Sequence, residues 1–413
     1  MKLDRTSLVN QTFDHFAGFG YLRIEEEPLI PAWDPSLLFT NSAVVAFKKY
    51  LLGAPVPGNG VVLCQRCVRA HQIGDVEASG ELLSIFSMMG VFTRDGAAIM
   101  NQSVAFWRAI IDVPWERLRL RLDPEDTELV QTYRQISGAP EIELGGMPKD
   151  SYDWTFGIEG VTGSGGHFSF VQNDGSIRDI ANIIQIRGRS GTLGFGFGFG
   201  VEAVLWAMYG VPLLGQVASF SQVFDVSSPQ QMRLADLGAL LLRLWREGVT
   251  PRKTKHGYIA KKSLKSFVSL CRTLGKKPSL LLRAMERLEQ LDYGSNSDAP
   301  ARLCAMAEEY LNSGVSDNVV RRDLSFLCNP DIDPAALAVT LHTAIGAAAR
   351  EVTLFDRYEG PTLPAGKISL AYRAYVGSIG ESEIHALLAR AVAAAKRVHG
   401  ATLRGAHLAE STP

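Results

Sequence analysis

Two groups of residues in this chain could do chemistry by type and spacing alone. Between positions 252 and 277 lie Arg252, Lys253, Lys255, Lys261, Lys262, Lys265, Arg272, Lys276 and Lys277, with no acid among them. Such a density of cations suits neutralisation of nucleic-acid phosphates, although a solvated helix face would also be basic. Cys64 and Cys67 form a lone Cys-x-x-Cys. A tetrahedral metal site needs two more ligands, and no second pair follows at zinc spacing, so the expected role is packing and no metal is expected. The run Gly194-Phe-Gly-Phe-Gly-Phe-Gly200 alternates bare backbone with a bulky ring, the pattern of a close-packed strand.

The elements that must carry these residues fall into three stretches. Leu8, Phe13 and Phe16 recur at helical spacing until Gly18 and Gly20 interrupt them. From Tyr21 to Gly210, short β-branched and aromatic runs mix with glycine turns and one helical stretch, the signature of an α+β domain. Leu234, Leu237, Leu240, Leu241 and Leu244 then form an apolar stripe in an all-helical bundle. The last stretch reads β-α-β-β-α, with strands near 324–328 and 368–376. The expected domains are 1–222, 223–313 and 314–408. A net charge of −1 confines any nucleic-acid surface to a local patch. No apolar run approaches the roughly 18 residues of a membrane span, and the start lacks a signal peptide's apolar run, so the expected location is cytoplasmic, off the membrane. Five scattered cysteines fit reduced thiols better than a disulfide framework.

Motifs sharpen this outline. Asp34-Pro-Ser-Leu-Leu-Phe-Thr-Asn41, Cys64-Gln-Arg-Cys-Val-Arg-Ala70 and Phe86-Ser-Met-Met-Gly-Val-Phe92 resemble motifs 1 and 2 of alanyl-tRNA synthetase, a class II aminoacyl-tRNA synthetase. Asp153-Trp154-Thr-Phe-Gly157 and Asn182-Ile-Ile184 resemble the same family's amino-acid pocket segments. The resemblance implies an antiparallel-sheet catalytic domain and ATP-driven activation of a carboxylate, with magnesium as companion ion. It implies that Arg69 grips the ATP α-phosphate, a task suited to a two-pronged guanidinium. Phe86 would stack on adenine, or serve simply as a core ring. Trp154, Asn182, His167 and Gly196 would line a pocket for a small amino acid, and Glu202 would belong to the nucleotide site.

Arg233-Leu-Ala-Asp236, Glu247-Gly-Val-Thr-Pro251 and His256-Gly-Tyr258 resemble that family's helical region, which binds the tRNA acceptor stem. The resemblance makes Arg252, Lys253, Lys255, Lys261 and Lys262 tRNA-binding candidates. Arg321-Arg-Asp-Leu324, Leu354-Phe-Asp-Arg-Tyr-Glu-Gly360 and the segment Leu363 to Arg373 resemble instead the ferredoxin-fold anticodon-binding domain of the phenylalanyl-tRNA synthetase β chain. That implies an open sheet presented to RNA, with Tyr372, Arg373 and Tyr375 as candidates and strand alternation deciding their faces.

The departures matter as much. Motif 3 of the family reads Asp-Thr-Gly-Met-Gly-Leu-Glu-Arg, and here the stretch is Gly196-Phe-Gly-Phe-Gly-Val-Glu-Ala203. The glycines and Glu202 are kept, while the ammonium-holding aspartate and the ATP-binding arginine are not. The histidine pair ahead of Phe86 is Leu82-Leu83. Each lost charge-assisted contact is worth roughly 1.5–3 kcal/mol, so the set argues against an unchanged reaction. The expectation is a tRNA-binding protein with a divergent ATP and aminoacyl site, active in a specialised aminoacyl-adenylate or aminoacyl-tRNA reaction. The alternative is a non-catalytic tRNA-binding or regulatory relative, so whether it is an enzyme stays open. Monomer and dimer both fit.

Overall fold

The computed structural model describes residues 3–404 apart from 35, 71–72, 74–75, 111–113, 313–319, 361–362, 365 and 378–380. The expected third-domain ends at 314 and 408 therefore lie outside the described residues. Contacts divide the chain into two units, Met1–Glu309 and Tyr310–Pro413.

The first unit is built on a sheet of nine strands: β1 (Tyr21–Arg23), β2 (Gly60–Val68), β3 (Ile85–Thr93), β4 (Leu118–Leu122), β5 (Glu141–Leu144), β6 (Asp153–Thr155), β7 (Thr162–Val171), β8 (Ile177–Gly188) and β9 (Gly191–Gly200). Their order is β1-β2-β3-β9-β8-β7-β4-β5, with β6 beside β7. Only the outermost pairs, β1 with β2 and β4 with β5, are parallel. The expected α+β, antiparallel-rich fold is what forms.

One face of the sheet is sealed by α1 (Arg5–Ala17), α4 (Gly96–Ile110) and α6 (Val201–Tyr209), while α2 (Val44–Leu51), α3 (Val76–Ser79) and α5 (Thr127–Gln135) complete the sheet domain's helices. Phe197 and Phe199 point into that sealed side, with ring centroids 5.9 and 5.4 Å from Trp107. Each such ring contributes roughly 1.5–3 kcal/mol by burial. The glycines between them face the other way, because strand side chains alternate. There, α2 covers only the upper end, laying Ala43, Phe47 and Tyr50 on Val61, Phe92 and Ile186. A Cβ on Gly90 would stand 2.4 Å from the Ala43 Cβ, so that close approach requires glycine.

Four helices follow: α7 (Pro229–Arg246), α8 (Lys255–Thr273), α9 (Leu282–Tyr293) and α10 (Ala299–Asn312). Ser228 caps α7 by accepting from the Gln231 N–H, and Pro229 occupies the first turn, where its missing N–H costs nothing. The middle of α7 is buried on all sides, which suits the centre of a bundle rather than a surface stripe. Asp236 on α7 accepts from the Ser84 amide (2.8 Å) and hydroxyl (2.5 Å) and pairs with Arg233, tying the bundle to the strand that carries Phe86.

The second unit has the strands β10 (Val320–Cys328), β11 (Ala349–Tyr358), β12 (Ile368–Val376) and β13 (Thr402–Leu403) in the order β11-β12-β10-β13. Its helices α11 (Pro334–Ile345) and α12 (Glu381–His399) cover one face, closing over Phe326, Leu370 and Tyr372. The β-α-β-β-α order expected from the sequence is present, with β13 added as a two-residue edge.

Candidate active site and RNA-facing surfaces

The register brings most of the expected site residues to one face of the large sheet. Met88 lies opposite Gly200, Gly90 opposite Gly198 and Phe92 opposite Gly196. Asn182 pairs with Gly198, and His167 with Asn182. Phe86, Gly196, Asn182 and His167 therefore share the front face, floored by bare glycine backbone. Gly196 has room for a side chain, since a Cβ there would meet nothing nearer than the Val91 carbonyl oxygen at 3.9 Å.

Arg69 leaves the end of β2 with its amide donating to the Ser84 carbonyl (3.3 Å), and its guanidinium lies 4.8 Å above the Phe86 ring. Burial lowers its pKa, and no carboxylate partners it among the described residues. A guanidinium in this setting stays charged, so it offers an uncommitted cation beside an aromatic plane. At the other end of the face, Trp154 packs on His167 with centroids 5.4 Å apart. His167 Nε2 lies 2.8 Å from the Ser151 carbonyl oxygen, which fixes the ring. Its Nδ1 is 3.8 Å from Asp179, whose other oxygen accepts from Ser169 at 2.6 Å.

Glu202 is not part of this arrangement. The expectation of a nucleotide contact is corrected by its position at the start of α6, where it accepts from the Ser87 amide (2.9 Å) and meets Arg5 Nε (3.4 Å). Ser87 turns its side chain away from Phe86, and burial raises the Glu202 pKa. Arg69 and Phe86 fit an ATP phosphate and purine. No set of three His, Cys, Asp or Glu among the described residues could hold a metal ion. Cys64 and Cys67 stand three apart on β2, which puts their thiols on opposite faces.

The basic segment is displayed by a tight loop before α8. The Arg252 amide donates to the Gly257 carbonyl (2.9 Å), and a Cβ on Gly257 would stand 2.5 Å from that of Arg252, so only glycine closes the turn. Lys255 adopts φ 49°, a conformation that favours glycine. Arg252, Lys253, Lys255 and Lys262 are exposed and Lys261 is half-buried. None of these five is in an ion pair among the described residues. His256 turns inward, edge-on to Phe39 at 5.2 Å.

In the second unit Arg373 stands on the open sheet face, 4.3 Å over Phe355 and bonded to Asp323 at 2.9 and 3.0 Å. Those bonds, with a second pair from Arg321, hold the Asp323 carboxyl well below the usual range. Tyr372 is the exception. Its expected RNA-facing role is corrected by strand parity: it points under the helices, fully buried, and donates to the Pro334 carbonyl at 2.8 Å.

Reading the sequence missed the ionic seam between the sheet and the bundle. Glu26 takes bidentate bonds from Arg66, whose guanidinium lies 4.3 Å from the Tyr293 ring, and Arg246 covers the same ring at 4.2 Å. Arg233 with Asp236, three apart, and Arg243 with Glu247, four apart on the same helix, carried a local signal for such pairing.

A model described as tRNA synthetases class II (A) matches residues 8–176, and one for the ferredoxin-fold anticodon-binding domain matches residues 318–404. The alanine–tRNA ligase of Thermus thermophilus is 32% identical over 189 residues, covering 41% of this chain and 20% of that protein. That of Corynebacterium jeikeium is 26% identical over 340 residues, covering 69% of this chain and 38% of the relative. The chain thus spans well under half the length of these relatives. Asparaginyl-tRNA synthetase from Pyrococcus horikoshii aligns with 52% of this chain and 66% of its own, at 11% identity and a TM-score of 0.34. The chain therefore carries a class II tRNA synthetase catalytic domain and, after its helices, a ferredoxin-fold anticodon-binding domain, with alanine–tRNA ligases as relatives at modest identity.

Proposed function

We propose that this protein binds tRNA and uses a divergent ATP and aminoacyl site in a specialised aminoacyl-adenylate or aminoacyl-tRNA reaction rather than in standard alanine charging. The observation that carries the reading is the front face itself. Arg69 and Phe86 stand at one end and Trp154 with His167 at the other, across a glycine floor that lacks a carboxylate at Gly196. An uncommitted guanidinium can take phosphate oxygens, and the ring beneath it can take a purine. With Gly196 and Ala203 in place of charged groups, the amino-acid end and the triphosphate end are both weakened. The loop of Arg252, Lys253 and Lys255 supplies cations for RNA phosphates.

Amino-acid-dependent pyrophosphate exchange, run across all standard amino acids alongside ATP calorimetry, tests the catalytic part. Exchange with at least one substrate, lost in Arg69→Ala, supports it, and silence everywhere with no ATP binding removes it. One observation favours a second reading, a non-catalytic tRNA-binding protein: Arg69 already rests on the face of Phe86 where a purine would lie. That reading requires tRNA affinity that falls steeply with salt and is indifferent to Arg69→Ala.

A further inference from the structure

The front face has no carboxylate at Gly196, and an irregularity in the sheet brings another to it. Phe168 on β7 lies opposite Ala181 on β8, but the next residue, Ser169, lies opposite Asp179, so Ile180 is an extra residue on β8. By strict alternation Asp179 would point with Ala181 and Ile183 into the sealed core. The bulge re-aims it to the side of His167, as bulges do beside functional sites. Ile180 turns to the core instead and is buried there.

The Asp179 side chain is 39% exposed, so a ligand can reach it. Its Oδ1 accepts from Ser169 Oγ at 2.6 Å and has Arg121 Nη1 at 3.5 Å. Arg121 is divided, with Nε 3.5 Å from Glu143 and Nη2 donating to the Gly146 carbonyl at 2.8 Å. The neighbouring cations are engaged as well: Arg119 pairs with Glu141 at 3.1 Å, Lys149 pairs with Asp123 and Glu125, and Arg178 lies over Trp206. One arginine therefore serves two carboxylates. Asp179 Oδ2 faces His167 Nδ1 at 3.8 Å, too far for a hydrogen bond. The Ser151 carbonyl can only accept, so His167 Nε2 carries the ring hydrogen and Nδ1 presents a lone pair. Two acceptors thus face one gap, and one of them belongs to a ring that is only 9% exposed. Such a gap calls for a donor with more than one hydrogen and a positive charge.

We propose that Asp179 and His167 together form the ammonium-binding site of the front face and hold the α-ammonium of an amino-acid substrate. A single nitrogen about 2.9 Å from each acceptor bridges the 3.8 Å between them and donates to both. Its charge answers the carboxylate that Arg121 shares with Glu143. The gap borders Asn182, which lies opposite His167, and Trp154, whose ring centroid is 5.4 Å from that of His167. The assignment rests on the reading of this face as an aminoacyl site, and it moves the ammonium contact from β9 to the bulge in β8.

The test is calorimetric titration of the full chain with each standard amino acid and with the matching acid in which hydrogen replaces the α-ammonium. In the parent, at least one amino acid should bind more than about tenfold tighter than its deaminated form, the worth of one charge-assisted contact. In Asp179→Asn that advantage should fall below about threefold, while the deaminated acid binds as before and the melting curve is unchanged. His167→Phe keeps a ring against Trp154 without an acceptor, and it should cut the advantage several-fold. ATP affinity should not move in either variant. Silence for every amino acid, or parent affinity that ignores the ammonium, overturns the proposal. So does an advantage that survives Asp179→Asn, the result expected if a protonated His167 satisfies the carboxylate by itself. Equal losses for both acids in Asp179→Asn would make the residue structural and overturn it too. Pyrophosphate exchange reports separately on the catalytic reading. Exchange whose amino-acid KM is unchanged in Asp179→Asn removes the ammonium site alone, and ammonium-selective binding without any exchange removes catalysis alone.

Discussion

Two regions of the large sheet handle charge in opposite ways: the seam around Glu202, Glu26 and Asp236, and the end of the front face that holds Arg69. On the sealed side and along the seam with the bundle, Glu202, Glu26 and Asp236 each meet an arginine and accept at least one backbone N–H. On the front, Arg69 has an aromatic ring for company and no carboxylate among the described residues. Charges that are fully paired hold elements together, and removing one partner is costly. A charge left unpaired on an open face is available to a ligand. The difference separates structural from chemical residues without appeal to which of them match a motif.

The most severe way to break this comparison is to remove a committed charge. Asp236 is fully buried, and burial raises its pKa against the pull of Arg233 and the Ser84 donors. Asp236→Ala takes the carboxylate away from Arg233 and from both Ser84 donors. The expected loss is about 3–5 kcal/mol in urea-unfolding stability, the usual cost of removing one partner of a buried ion pair. A loss below about 1 kcal/mol would show the pair to be dispensable and the sorting unsound.

Adjacent residues on β9 sharpen the contrast. Phe197→Ala opens a cavity among Trp107, Phe106 and Phe168 and should cost about 3–5 kcal/mol. Gly196→Ala, one position away on the opposite face, should change stability by less than about 1 kcal/mol, since its Cβ has open space. Thermal melts of the two variants decide this. Equal losses would mean that the front face is packed rather than open.

Much of this was legible in the chain. The alternation of glycine and phenylalanine at 194–200 fixes which side of β9 is packed, and the period of two carries that assignment across the sheet. Motif spacing located Arg69, Phe86, Trp154 and His167, and the structure gathers them on one face. Glu202 was misassigned because a helix start does not follow strand parity. Tyr372 was placed on the RNA-facing side because the alternation of β12 is anchored only once the helices lie over one face. The Arg66, Arg243 and Arg246 cluster around Tyr293 was invisible because its members are up to 227 positions apart and carry no local pattern.

Arg69→Ala is the complementary test on the front face. Removing an uncommitted cation should leave the melting curve within about 0.5 kcal/mol of the parent. If Arg69 contacts phosphate, ATP affinity should fall roughly tenfold to a hundredfold, the loss of one charge-assisted contact. Titration calorimetry with ATP makes the measurement. A large stability loss with unchanged affinity would move Arg69 into the structural set.

The smallest effect concerns a committed pair on the front side itself. Lys48 Nζ donates to Asp34 at 2.6 Å, and this bond, with one from Ser36, lowers the Asp34 pKa. A carboxyl depressed in the folded state stabilises it at pH above the unfolded value of about 3.9, and that stability is lost as pH falls through the folded value. The contribution should be about 1 kcal/mol, because both side chains are largely buried and the cost of desolvating them offsets most of their attraction. Asp34→Asn should therefore lower the urea midpoint at pH 7, and the gap from the parent should close as pH falls below the unfolded value and through the lower folded one. A gap that persists at the lowest pH would mean that Asp34 acts through packing rather than charge. The front face would then owe nothing to the charge of this ion pair.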